Sequence, residues 1–547
     1  MKKLKLLAIA LCAVMALSAF AACGNDNKIS SETLQLAVVN KGYGSAYAKE
    51  LARAFKKKTG IDTQVVYDPP TDTFVLNTLK AGPGKNDYDI YFGGPVNFLF
   101  GVVAQGNNYV SGSDWKKTAL ADLSEIYDAP AVGFEESGPG ITNRDIMNPY
   151  ITDALTFHVD DKQYGVSYAQ GMEGFLFNKT LWDETNAQLT GNDKLDLPLT
   201  TGEMFELFNK INSIPAAKRN SAFPFKHAGM ADYSEMGWYN WWAQFDGQEI
   251  CDLFLQGMDI NGVYSPEIYN YDYSQHGRRY AYDVAKNLLS GGYSHNDDPK
   301  IDFITAQIEF LEKKAFFNFN GDWLEREAEG NFERGEVGAG FIRVPVISTI
   351  TEKCDTVKTE SKLREVIDYI DYLDGYKLGG YDRGVKTKPS GVSEDDFALL
   401  TAARHTVITQ GMHGICTVPA YSKHLDEAKQ FLKFMLSKEG QEIIMNACYG
   451  NMSPLVVKSS QMNYYQSPEI TVMAKSRLEI FPQGVLFGRN AKYPMMYLGG
   501  MELMYGSYST SFAGSGTVKE FMDTEYNAYK GATWTNMMSI AGVNNNP

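Results

Sequence analysis

TLQLAVVNKGYGSAYAKELARAFKKKTGIDTQVVY, residues 33–67, decides the fold class. Thr33–Val39 is an apolar run of strand length, NKGYG is a loop, and Ala46–Thr59 repeats with a helical period. Ala48, Leu51, Ala52 and Phe55 share one helical face, and Gly60 stands where a left-handed C-terminal cap belongs. Asp62–Tyr67 reads as a second strand, Thr73–Ala81 as a second helix and Asp89–Phe92 as a third strand. Strand and helix alternate, which predicts an open α/β sheet of largely parallel strands.

Upstream of this unit the chain carries an export signal. Lys2, Lys3 and Lys5 precede an apolar run, Leu6–Ala22, and small residues lead into Cys23. That order is a secretory signal and not a membrane span. AFAACGN resembles a bacterial lipoprotein signal, which implies that Cys23 receives lipid and becomes the mature N-terminus. Removing 1–22 leaves 525 of the 547 residues, a comfortable length for two domains. Losing the three lysines moves the net charge from −15 to −18. Such a chain repels nucleic acid and anionic lipid heads, so its contact with the membrane is expected through Cys23 only. Cys251, Cys354, Cys416 and Cys448 are widely spaced without a CxxC pair, and the spacing predicts no disulfide.

Several chemistries find no support. Gly42-x-Gly44 follows a strand and opens a helix, but Tyr47 stands where a dinucleotide fingerprint needs its third small residue. A tight turn at a strand end is the better reading. There is no GxSxG elbow, Walker loop, HExxH or histidine pair at metal-ligand spacing, so no cofactor, metal or catalytic residue is assigned. Asp297-Asp298 and DYLDG (371–375) read as solvated turns and not as a glycosidase carboxylate pair.

Beyond Tyr164 the texture changes. GWYNWWAQFDG (237–247) gathers Trp238, Trp241 and Trp242 with Phe245 on one helical face, a spacing typical of core. Tyr280–Leu289 reads as a helix, FFNFNGDWLE and VGAGFIRVPV as strand segments, and 352–394 as a charged insert or surface region. Near Gly414 the first style returns: ICTVPAYS is a strand, followed by two helices. Leu425, Ala428, Phe431, Leu432 and Met435 are the buried stripe of the first, and Ser437 is the expected N-cap of the second.

These pieces, in this order, resemble the extracellular solute-binding proteins of bacterial carbohydrate ABC importers, the group that includes maltodextrin-binding protein. NKGYG (40–44), AFKKKTGI, DYDIYF (87–92), KQYGVSYAQGMEGFLFNK (162–179), FFNFNGDW (316–323) and PAYSKHLDEAKQFLKFMLSKEGQE (419–442) carry the resemblance. It implies a two-lobe, type II periplasmic-binding-protein-like α/β fold, each lobe an open, mostly parallel sheet flanked by helices and hinged by crossing segments. The expected division is 33–164 and 412–460 for lobe one, 165–411 and 461–547 for lobe two, with 23–32 a tether.

The resemblance also implies a role: capture of a sugar, expected to be an oligosaccharide, in the interlobe cleft by a monomer that delivers it to permease subunits. Asn40 and Lys41 fall where lobe one presents polar groups, and Tyr168, Gln170 and Glu173 lie just beyond the first crossing. Asn320, Asp322 and Trp323 fall on the loop that presents a sugar-stacking tryptophan. One or two of Trp238, Trp241 and Trp242 are expected at the cleft and the rest in the core. Where maltodextrin binders place a lobe-one tryptophan this chain has Gly93-Gly94-Pro95, which leaves the sugar open. A peptide, amine or metal-chelate ligand on the same fold, or a secreted glycosidase, is the alternative.

Overall fold

The computed structural model describes residues 33–39, 42–66, 77–79, 81–83, 85–93, 119–157, 161–229, 233, 235–273, 276–333, 335–409, 414–450, 453–455, 459–468, 470–481, 485–488 and 511–540. Along them run strand β1 (Leu34–Val38), helix α1 (Ala46–Thr59), and strands β2 (Thr63–Val66), β3 (Ile90–Phe92), β4 (Val166–Ala169), β5 (Met172–Asn178) and β6 (Phe223–Lys226). There follow α2 (Glu235–Asp246), β7 (Ala315–Gly321), β8 (Ala339–Ile342), α3 (Glu360–Leu373), α4 (Glu394–Arg404), β9 (Thr406–Thr409) and β10 (Gly414–Thr417). Helices α5 (Leu425–Leu436), α6 (Lys438–Ala447) and α7 (Val472–Ile480) precede β11 (Val485–Gly488), and α8 (Val518–Tyr529) follows it.

The opening unit forms as its periodicity requires. Helix α1 buries Tyr47, Ala48, Leu51, Ala52 and Phe55, and Gly60 closes it at φ 78° with its N–H on the Lys56 carbonyl at 2.8 Å. Ser437 caps α6 through its hydroxyl, 3.2 Å from the Gly440 N–H.

Two main sheets result. The first runs β2-β1-β3-β10-β4, and the second β11-β9-β5-β7-β6, with β8 also on β5. Strand directions are more mixed than simple alternation predicts, which corrects the expectation of mostly parallel sheets. β1 is parallel to β2 and β3, but β10 is antiparallel to both β3 and β4. In the second sheet β5 is antiparallel to β7, β8 and β9, while β6–β7 and β9–β11 are parallel. The cause is the crossing: a strand that enters a sheet from the other lobe arrives without a βαβ connection to fix its direction.

Each sheet has its own core. Leu36, Phe55, Phe92 and Phe431 are among the buried residues of the first, and Phe175, Phe317, Trp241 and Tyr282 among those of the second. The chain passes between sheets at Gln170-Gly171, between β4 and β5. It returns between β9 and β10. Residues 352–394 lie against the second lobe, with Leu363, Val366, Ile367 and Ile370 of α3 in its core. Among the described residues no helix is long and apolar enough to cross a membrane.

Candidate functional site

The first crossing brings distant segments together. Strand β7 ends at Gly321, opposite Glu173 of β5, so Asp322 and Trp323 emerge beside the crossing residues. Asp322 is fully buried and accepts three hydrogen bonds. The Met172 N–H reaches its Oδ2 at 3.0 Å, the Arg477 Nε reaches Oδ2 at 2.7 Å, and the Tyr43 hydroxyl donates to Oδ1. Burial pushes this carboxyl up to about 6 while Arg477 pulls it down. Burial, with the Asp322 charge adding to it, raises the Tyr43 hydroxyl far above its usual range and keeps it a donor.

Arg477, on α7, also donates from Nη2 to the Gln170 carbonyl at 2.7 Å, and its guanidinium lies 4.4 Å from the Phe481 ring centroid. The backbone of Gln170 is therefore held, while its side chain is not. The residue is 0% exposed, and among the described residues neither Oε1 nor Nε2 has a hydrogen-bond partner. A buried amide left unmade costs about 1–3 kcal/mol, so these two atoms call for a partner, water or another polar group. Next to it, a Cβ on Gly171 would collide with the Tyr43 hydroxyl and lie 3.2 Å from Asp322 Oδ1, so a larger residue there displaces the Tyr43–Asp322 contact.

Trp323 sits at the seam of the lobes. It is 7% exposed, with the Tyr43 ring edge-on at 6.2 Å and Tyr233 at 5.9 Å. Tyr168 lies just before the crossing, stacked on Tyr47 at 5.4 Å in the core of lobe one. Glu173 is buried on β5. Asn320 is buried and engaged: its Oδ1 accepts from the Gly321 N–H at 2.8 Å and from Gln307 at 3.4 Å. Asn40, Lys41, Gly94, Pro95 and Cys23 lie outside the described residues.

The tryptophan cluster requires a correction. Trp238, Trp241 and Trp242 are 0–1% exposed and belong to the core of lobe two, not to the cleft. Trp241 donates to the Pro345 carbonyl at 3.1 Å and Trp242 to Asp246 at 2.8 Å. Trp238 stacks on Tyr239 at 4.0 Å. Met236 to Phe245 are all buried, so α2 has no wet face on which to offer a ring. The four cysteines Cys251, Cys354, Cys416 and Cys448 are buried free thiols.

Tyr43 and Arg477 are the members that reading the sequence missed. Tyr43 had a signal, a lone aromatic between two glycines in NKGYG, whereas Arg477 sits in an ordinary-looking helix.

Compared with known families, residues 50–347 match the model of the bacterial extracellular solute-binding proteins. The chain belongs to that family. Solved structures of similar fold agree with this assignment. One comes from a study of xylan utilization by the thermophilic bacterium Caldanaerobius polysaccharolyticus, at 15% identity and TM-score 0.58, covering 91% of this chain and 100% of that one. A second is the solute-binding protein RafE in complex with raffinose, at 16% identity and TM-score 0.56, covering 91% and 98%. A third is the GacH receptor of Streptomyces glaucescens, solved unliganded and with acarbose, at 15% identity and TM-score 0.53, covering 93% and 98%. A search of curated proteins finds no match. In this solute-binding protein, then, the crossing at Gln170, the loop at Asp322-Trp323 and the turn at Tyr43 meet at the boundary of the two lobes.

Proposed function

We propose that this solute-binding protein captures a sugar, an oligosaccharide, between its lobes and delivers it to the permease of an ABC transporter. The observation that carries the reading is the buried Gln170 amide at the crossing, with donor and acceptor both unpaired among the described residues. Sugar hydroxyls present donor and acceptor together, and so does an amide. Trp323 offers a plane for the apolar face of a pyranose, and Tyr168, Glu173 and Asp322 add polar groups nearby. Asn40 and Lys41 are assigned to the same set by the family resemblance, and Asn320 braces the loop. Asp322 is neutralised by Arg477, which favours a neutral ligand over an amine or a peptide terminus. The proteins of similar fold solved with raffinose and with acarbose support the same class.

The protein acts as a monomer, without cofactor or metal, held on the outer face of the membrane by lipid on Cys23. Cys23→Ser is expected to abolish palmitate incorporation and membrane retention. A variant that stays lipidated contradicts the anchor. For the binding reading, a glycan array probed with chain 24–547 is expected to retain an oligosaccharide that is recovered intact. Release of shortened products instead identifies a glycosidase, and retention of peptides or amines alone identifies a different cargo.

A further inference from the structure

Two loops of lobe one reach a single short stretch of lobe two. From the first, the Tyr43 hydroxyl donates to Asp322 and its ring meets Trp323. A Cβ on Gly42 would lie 3.0 Å from the Trp323 Cβ, and one on Gly44 would lie 2.7 Å from the Arg326 Nε, so backbone presses directly on lobe two. From the second loop, the Tyr449 hydroxyl donates to Glu329, which also pairs with Arg326. Tyr449 adopts φ 59°, a conformation that bulky side chains rarely take and that persists only where surroundings impose it. The loops are joined to each other, since the Cys448 thiol donates to the Tyr43 carbonyl at 3.5 Å.

Both polar contacts have one form: a hydroxyl of lobe one on a carboxylate of lobe two. It is the contact a polyhydroxylated ligand would itself make. We propose that the ligand-free protein has a latched closed state, in which the Tyr43 and Tyr449 hydroxyls occupy acceptors on Asp322 and Glu329 that a bound ligand must take over. A ligand without hydrogen-bond donors cannot make that exchange, so the latch selects for donor-rich ligands, polyols among them, as well as holding the cleft shut. The latch rests on the two-lobe architecture alone; that its natural competitor is a sugar rests on the reading given above.

Small-angle scattering of chain 24–547 without any ligand tests it, comparing wild type with Tyr43→Phe, Tyr449→Phe, their double variant and Gly42→Ala. Each lost hydroxyl–carboxylate bond is expected to lower the closed-to-open ratio about tenfold or more. The radius of gyration of the double variant then rises by on the order of 1 Å above the roughly 24 Å of a compact chain of this length. Gly42→Ala, a wedge against Trp323, moves it the same way, and melting temperatures stay within a few degrees because each substitution adds or removes a single heavy atom at the seam. Curves that superimpose on wild type for both the double variant and Gly42→Ala overturn the latch. A large loss of melting temperature with an unchanged curve also overturns it, by assigning the hydroxyls to lobe stability. No ligand is present in any sample, so failure here leaves the sugar reading standing, and the glycan array decides that separately.

Discussion

Gln170 is destabilising in the empty protein and useful in the loaded one. Its buried amide has no partner among the described residues, and a methionine of equal length would remove the penalty. Gln170→Met is therefore expected to raise the ligand-free melting temperature by about 1–3 °C. It should weaken binding of the array-selected oligosaccharide by about tenfold or more in calorimetric titration. A lowered melting temperature with unchanged affinity would make Gln170 an ordinary packing residue. Trp323 makes the complementary case. Its ring faces groups of lobe one as well as its own core, so truncation loses contact at the seam. Trp323→Ala is expected to remove on the order of 80 Å² of stacking on a sugar, about 2 kcal/mol or roughly thirtyfold in Kd. Unchanged affinity with a large fall in melting temperature would assign the ring to the core.

At the scale of elements, α3 and α4 are joined by charge within the fold. Arg404 is buried and binds Asp371 through Nε at 2.9 Å and Nη2 at 2.6 Å, while Arg343 on the strand side reaches the same carboxylate at 2.9 Å. Removing Asp371 takes from the buried Arg404 its carboxylate partner and leaves Arg343 with Asp374 as its carboxylate. Asp371→Ala should cost about 3–5 kcal/mol and lower the melting temperature sharply; a change within error would mean that water replaces the carboxylate. Asp396, in the first turn of α4, serves a second junction. Burial alone would raise its carboxyl, but the Thr356 hydroxyl and the N–H groups of Asp355, Thr356 and Val357 overcome that and hold it down to about 2. A depressed folded value means stability that is present above the ordinary carboxylate range and lost as pH falls through it toward 2. Acid melting of wild type should thus lose more between pH 4 and pH 2, values bracketed by about those two carboxyl constants, than Asp396→Ala does; parallel curves would contradict this.

These elements also show what a chain of letters reveals. β1, α1, its Gly60 cap and the Ser437 cap are legible because strand length, a helical stripe and a terminal glycine or serine are local facts. The charges of 352–394 read as surface because each was weighed alone, whereas Asp371, Arg343 and Arg404 are buried by pairing. Trp238, Trp241 and Trp242 have core spacing, and placing any of them at the cleft overlooked that α2 is buried on all sides. Asp322 and Arg477 stand 155 residues apart, and Tyr43 and Asp322 stand 279 apart, so no spacing rule joins them.

At the scale of the molecule, two separately packed cores meet where the chain crosses between sheets, and the polar groups at that boundary belong to both. A ligand held there must touch lobe one and lobe two together, which is what distinguishes capture in a cleft from adhesion to one surface. Hydrogen exchange of chain 24–547, with and without the oligosaccharide chosen by the array, reads this directly. Ligand is expected to slow exchange at once in peptides spanning 42–48 of lobe one, 168–173 of the crossing and 322–329 of lobe two. Protection confined to a single lobe, or none at the crossing, would contradict it.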